Sequence, residues 1–216
     1  GRPVAAVPEP TYRVPGLSGV ANARIGLYKS YLASMDEGWT RWLLDVNRIP
    51  YRAVLDRDFR GGDLKSRFDV IIMPDQRSQQ ISNGLGTAYP DSLRGGLGGA
   101  GAAGLKRFVE EGGTVLFFND AAEYAIEVLG LPVKNVLAGV NRTELYAPGS
   151  LLQVELDRGN PIAAGMTAPV PAVWFEDSPA FEVTDPSRAK VVARYPASGD
   201  PLLSGWLLGG TLLNGK

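Results

Sequence analysis

Phe68-Asp69-Val70-Ile71-Ile72-Met73-Pro74-Asp75 is a run of strand length, apolar from Val70 to Met73 and closed by Pro74 and Asp75. A strand with one wet face alternates in polarity, whereas an unbroken apolar run is expected where both faces are covered, as in a parallel sheet. Ala23 to Tyr31, Tyr51 to Leu55 and Thr114 to Phe118 have the same character. Helical patterns separate them. Ser34-Met35-Asp36-Glu37 has the Ser-x-x-Glu spacing of a capping box, so a helix is expected to start there and to end at Pro50. Trp39, Trp42, Leu43 and Val46 recur at i, i+3, i+4 and i+7, which predicts that both tryptophans face the sheet. A second helix is expected over Gly104 to Glu111, with Leu105, Phe108 and Val109 inward and Gly112-Gly113 as its stop. Ala122, Ala125, Ile126 and Leu129 mark a third, closed by Gly130 and Pro132. This alternation predicts an α/β fold: a three-layer α/β/α sandwich with a mostly parallel sheet ordered 2-1-3-4.

The C-terminal half reads differently. Leu151 to Leu156, Ala172 to Phe175, Ala180 to Val183, Lys190 to Tyr195 and Leu202 to Leu208 are short β-rich runs between Pro, Gly and Asp turns. They are expected either to extend the sheet or to pair as an antiparallel flap. A doubly wound domain would add a strand and a closing helix after Lys216, so the domain is expected to continue beyond it. Residues 1–22, with Pro3, Pro8, Pro10 and Pro15, read as a Pro-rich linker, and residues 23–216 as one domain.

Composition narrows the chemistry. The 216 residues carry a net charge of -1 with the signs interspersed, which gives no electrostatic footprint for nucleic acid or for an anionic membrane. No apolar run reaches the roughly 18 residues that span a bilayer. The chain has 0 Cys and 0 His, which excludes thiol catalysis, a serine triad and the commonest metal ligand. Any acid/base work falls to carboxylates, Lys or Tyr.

In open α/β sheets ligands bind beyond the carboxyl ends of the strands. The polar residues expected there are Asp36, Glu37 and Trp39 after the first strand, Asp75 and Gln76 after the third, and Asn119, Asp120 and Glu123 after the fourth. Trp174 and Glu176 join them if the strand near Val173 lies in the same sheet. Singly, such residues serve as caps and turn formers; together at one edge they describe a crevice, with no metal and no cofactor assigned to it. Gly96/Gly98/Gly101 and Gly99/Gly101/Gly104 each match G-x-G-x-x-G, but the run follows the turn Tyr89-Pro90-Asp91-Ser92 and not a strand, so it is read as a flexible loop entering a helix.

Ala23-Arg24-Ile25-Gly26-Leu27-Tyr28, Asp69-Val70-Ile71-Ile72-Met73-Pro74 and Gly113-Thr114-Val115-Leu116-Phe117-Phe118-Asn119-Asp120, in that order, resemble class I glutamine amidotransferase-like domains, and the resemblance implies a flavodoxin-like fold. Met35-Asp36-Glu37-Gly38-Trp39-Thr40-Arg41-Trp42, the run from Tyr89 to Gly98, Tyr146-Ala147-Pro148-Gly149-Ser150 and Val173-Trp174-Phe175-Glu176 are similar to the domain appended to bacterial zinc carboxypeptidases of the carboxypeptidase A type. The resemblance implies other domains of a parent polypeptide as partners, a periplasmic or extracellular setting, and peptidase chemistry that sits in the parent. It also puts Asn119 where active amidotransferases carry their nucleophilic cysteine, with no counterpart of the partner histidine. An amide cannot serve as that nucleophile. The expectation is a non-catalytic accessory domain. Two alternatives stand beside it: a small-molecule, sugar or peptide binding module using Trp39 or Trp174 as a stacking surface if exposed, and a hydrolase using Asp120, Glu123 or Glu176.

Overall fold

The computed structural model describes residues 23–216; the Pro-rich segment 1–22 lies outside them. Contacts among the described residues cluster into two compact units that meet between Tyr124 and Ala125.

In the first unit the elements run β1 (Ile25–Tyr28), α1 (Met35–Val46), β2 (Tyr51–Val54), α2 (Asp56–Gly61), β3 (Val70–Met73), α3 (Ser78–Asn83), α4 (Gly98–Glu110), β4 (Thr114–Phe117) and the start of α5 (Ala121–Leu129). The sheet order is β2-β1-β3-β4, and every pairing is parallel. Both were expected from the sequence. Parallel neighbours need right-handed crossovers, which put α1 on one face and α2, α3 and α4 on the other. Packing of α4 against both α2 and α3 agrees with this. The result is a flavodoxin-like α/β/α sandwich. Alternation along the strands divides the core: Ile25, Leu27 and Ile72 pack with Leu44 of α1, while the ring of Tyr28 meets that of Phe59 of α2 edge-on at 5.4 Å.

Helix α1 is where the fold departs most from expectation. It spans the expected residues and Ser34 caps it, accepting from the Glu37 N–H at 3.1 Å. Yet Trp39 is 62% exposed, Trp42 53%, and Leu43 and Val46 also face solvent. The stripe turned to the sheet is Glu37, Thr40, Arg41 and Leu44, of which only Leu44 is both buried and apolar. The Glu37 carboxylate does not reach back to complete a capping box; it pairs with Arg41. Arg41 in turn lies over the Tyr51 ring at 5.5 Å, and its Nη1 donates to the Tyr51 hydroxyl at 3.4 Å. These polar contacts with β2, together with the cap, fix the helix rotation and turn the tryptophans outward.

The glycine run is also corrected. Gly98, Gly99, Gly101 and Gly104 are helical, because α4 begins at Gly98. A Cβ on Gly104 would stand 2.1 Å from the Phe59 carbonyl oxygen, and one on Gly101 would stand 3.4 Å from Phe59 Cβ. The glycines let two helices approach backbone to backbone. Leu105 and Phe108 are buried as expected, but Val109 is exposed. On α5 the buried positions are Ala121, Tyr124 and Ala125, so only Ala125 of the expected inward residues is fully covered.

The second unit holds β5 (Val133–Asn135), β6 (Pro148–Gln153), β7 (Glu155–Leu156), β8 (Ala172–Glu176), β9 (Phe181–Val183), β10 (Ala193–Arg194) and β11 (Leu202–Ser204). These strands do not extend the parallel sheet. They pair antiparallel in three small sheets, β11-β6-β8, β10-β7 and β5-β9. Their core gathers Ala147, Leu152, Phe175, Ala180 and Leu213.

Candidate functional site

Beyond the carboxyl ends of β1 and β3 lies a cavity of about 180 Å³ lined by Tyr28, Lys29, Ser30, Ser34, Glu37 and Gln76, among others. Its polar walls are held in place. Gln76 Nε2 donates to Ser30 Oγ at 3.0 Å, and Ser30 Oγ donates to the Leu32 carbonyl at 3.1 Å. Ser34 Oγ, besides capping α1, donates to the Asp75 carbonyl at 3.4 Å, which joins the two strand-to-helix turns. Glu37 and Gln76 both line this cavity. Asp36 and Trp39 sit one and four residues after Met35 on α1, and both are exposed.

Asp75 has another role. Its carboxylate reaches the turn after β4, where Oδ2 accepts from Asn119 Nδ2 at 2.9 Å and Oδ1 accepts from the Asp120 N–H at 3.0 Å. Asn119 has φ +47, in the left-handed region that Asn tolerates better than most residues. A sharp strand-to-helix turn with a non-glycine residue at positive φ is the backbone shape of a nucleophile elbow. The turn has that shape while the residue presents an amide, already bonded to Asp75. Glu123, one helical turn on, donates its N–H to the Asp120 carbonyl at 3.1 Å.

Behind the cavity wall, the Tyr28 hydroxyl donates to Asp56 Oδ1 at 2.7 Å. Asp56 is 1% exposed, and its Oδ2 is buried without a partner. Burial raises the Asp56 carboxyl from its ordinary value, opposed by the hydrogen bond from Tyr28 and by the Arg60 charge. Burial also raises the Tyr28 phenol, with the Asp56 charge adding to the effect. Tyr28 is thus a neutral donor fixed on Asp56 and not a proton shuttle.

Trp174 and Glu176 do not join the crevice through the sheet. They lie on β8, which pairs with β6 antiparallel in the second unit. Trp174 is 62% exposed, and its Nε1 donates to Glu176 Oε2 at 3.3 Å. Sequence reasoning missed Ser30 and Lys29, which sit in the loop after β1, and it placed Trp206 only within the β-rich run Leu202 to Leu208. Among the described residues no group of three or more His, Cys, Asp or Glu side chains gathers to hold a metal ion, and no helix is long and apolar enough to cross a membrane.

Comparison with protein-family models finds no match, and neither does comparison with curated proteins. Among solved structures, a ThuA-like protein from Bacteroides uniformis is similar over 86% of this chain and 75% of its own, at 15% sequence identity and a TM-score of 0.46. The flavodoxin-like assignment rests on strand order, parallel pairing and crossover sides.

Proposed function

We propose that the chain is a non-catalytic interaction domain of the glutamine amidotransferase-like type, serving a larger zinc carboxypeptidase-like protein by docking against its other domains. The observation that carries this reading is the outward apolar face of α1. Met35, Trp39, Trp42 and Leu43 are all exposed, and the two indoles meet edge-on at 6.0 Å. Clustered exposed tryptophans mark interaction sites, since Trp supplies large contact area at small entropic cost. Asn119 supports the non-catalytic half, because its amide occupies the elbow and is bonded to Asp75.

Isothermal titration of this chain against the zinc-peptidase domain encoded by the same natural reading frame tests the reading. Saturable binding that Trp39→Ala/Trp42→Ala weakens at least about tenfold is expected. A reading frame without such a domain, or binding indifferent to both tryptophans, overturns it.

A further inference from the structure

Strand β8 presents Trp174 and Glu176 outward while Phe175 between them is buried. On the neighbouring β6, Gly149 and Leu151 share that outward face, and Leu151 is the register partner of Trp174. A Cβ on Gly149 would come within 2.6 Å of Trp174 Cζ2 and 3.1 Å of Cη2, so the benzo ring of the indole rests directly on the glycine backbone. Gly149 has φ +96, which itself favours glycine. With Nε1 tied to Glu176 Oε2, the indole is held at both ends, yet Trp174 stays 62% exposed.

Beyond Glu176 the same unit carries a chain of paired side chains. Asp177, in the left-handed region at φ +49, pairs with Arg142. The Arg142 guanidinium lies 5.8 Å over the Tyr146 ring, and that ring meets Trp206 edge-on at 5.9 Å. Trp206 is itself fixed: its N–H donates to Ser150 Oγ at 3.0 Å, and that hydroxyl, on a residue 1% exposed, donates back to the Trp206 carbonyl at 2.7 Å.

We infer that this outward face of the β11-β6-β8 sheet is a carbohydrate site, taking one or two neutral pyranose rings of an oligosaccharide. The negative π face of an indole attracts the polarised C–H groups on the flat side of a pyranose. Glu176 uses only Oε2 toward the indole, which leaves Oε1 to accept from a pyranose hydroxyl, and the next residue along the chain is Asp177, paired with Arg142. A protein partner covering the indole would have to strip water from the Glu176 carboxylate bonded to it, and charged residues are depleted at the centres of such interfaces. A pyranose combines an apolar face with a hydroxyl rim and needs no such desolvation. Holding the indole in place beforehand removes the ordering cost that a free side chain would bring to binding. The site lies wholly in the second unit and stands or falls independently of the α1 surface.

The test is a titration of the full chain, by calorimetry and tryptophan fluorescence, with cellohexaose, chitohexaose and maltohexaose, and with a proline-rich peptide as a probe of another class. Saturable binding of at least one hexaose with Kd of about 1 mM or tighter is expected. Trp174→Ala should weaken it at least about tenfold, Trp174→Tyr should retain most of it, and Trp39→Ala/Trp42→Ala should leave it unchanged. Near-ultraviolet circular dichroism and urea midpoints check that each variant keeps its fold. Absence of binding to all three hexaoses, binding that ignores Trp174, or binding of the peptide alone overturns the assignment.

Discussion

Gly104 of α4 lies so close to α2 that a side-chain carbon on it would meet the Phe59 carbonyl oxygen at 2.1 Å. Gly99, five residues earlier in the same helix, has nothing within 4 Å of the corresponding point. The two positions should respond oppositely to one change. Gly104→Ala should destabilise by about 3 kcal/mol as the helices are forced apart. Gly99→Ala should stabilise by roughly 0.5–1 kcal/mol, through helix propensity and a less free unfolded chain. Urea midpoints measure both, and the same sign at the two sites would contradict the packing described.

Trp42→Ala should lower stability by less than about 1 kcal/mol, as expected for an exposed residue away from special features. Had the tryptophan faced the sheet, as its spacing suggested, the loss would be about 3–5 kcal/mol. Denaturant unfolding separates the two values.

The amino ends of β1 and β3 are joined by a bidentate pair, in which Arg24 Nε donates to Asp69 Oδ2 at 3.0 Å and Nη2 to Oδ1 at 2.6 Å. Hydrogen bonds from the Arg24 side chain and backbone hold the Asp69 carboxyl well below the usual carboxylate range. A carboxyl whose folded value is depressed binds fewer protons than in the unfolded chain, so its contribution is present above the unfolded value of about 3.9 and is lost as pH falls below it. Arg24→Gln should therefore lower the urea midpoint at neutral pH more than at about pH 3. An equal loss at both would show that the pair adds nothing through ionisation.

Asn119→Cys should be silent toward glutamine. The chain has 0 His to lower the thiol pKa or return a proton to the leaving amine, and such pairs act as a unit. Ammonia release above background from the wild-type chain would overturn the non-catalytic reading and point to Asp120 and Glu123.

The parallel sheet was legible in the sequence because β1 and β3 are apolar on both faces, a pattern few other arrangements allow. The turn at Asn119 was legible too, by its position after β4. Helix α1 was not, because periodicity identifies a stripe without saying what covers it. Which stripe turned inward was decided by Ser34 reaching Asp75 and Arg41 reaching Tyr51, contacts between segments distant in sequence. The start of α4 was missed for a related reason. Glycine is unfavourable in a helix by roughly 1 kcal/mol relative to Ala, and only the facing backbone of Phe59 makes its lack of a side chain an advantage. The contacts of the second unit were hidden because Tyr146 and Trp206, and likewise Gly149 and Trp174, lie on separate stretches of chain, brought together by antiparallel pairing.

A helix that contains Gly98, Gly99, Gly101 and Gly104 holds little structure by itself. Its persistence depends on what it packs against, above all α2, and α2, six residues long, is equally unable to stand alone. The pair must then open and close as one cooperative unit. Amide protons along α4 should exchange with solvent at the rate set by detachment from α2, and peptides cut from either helix should be coil.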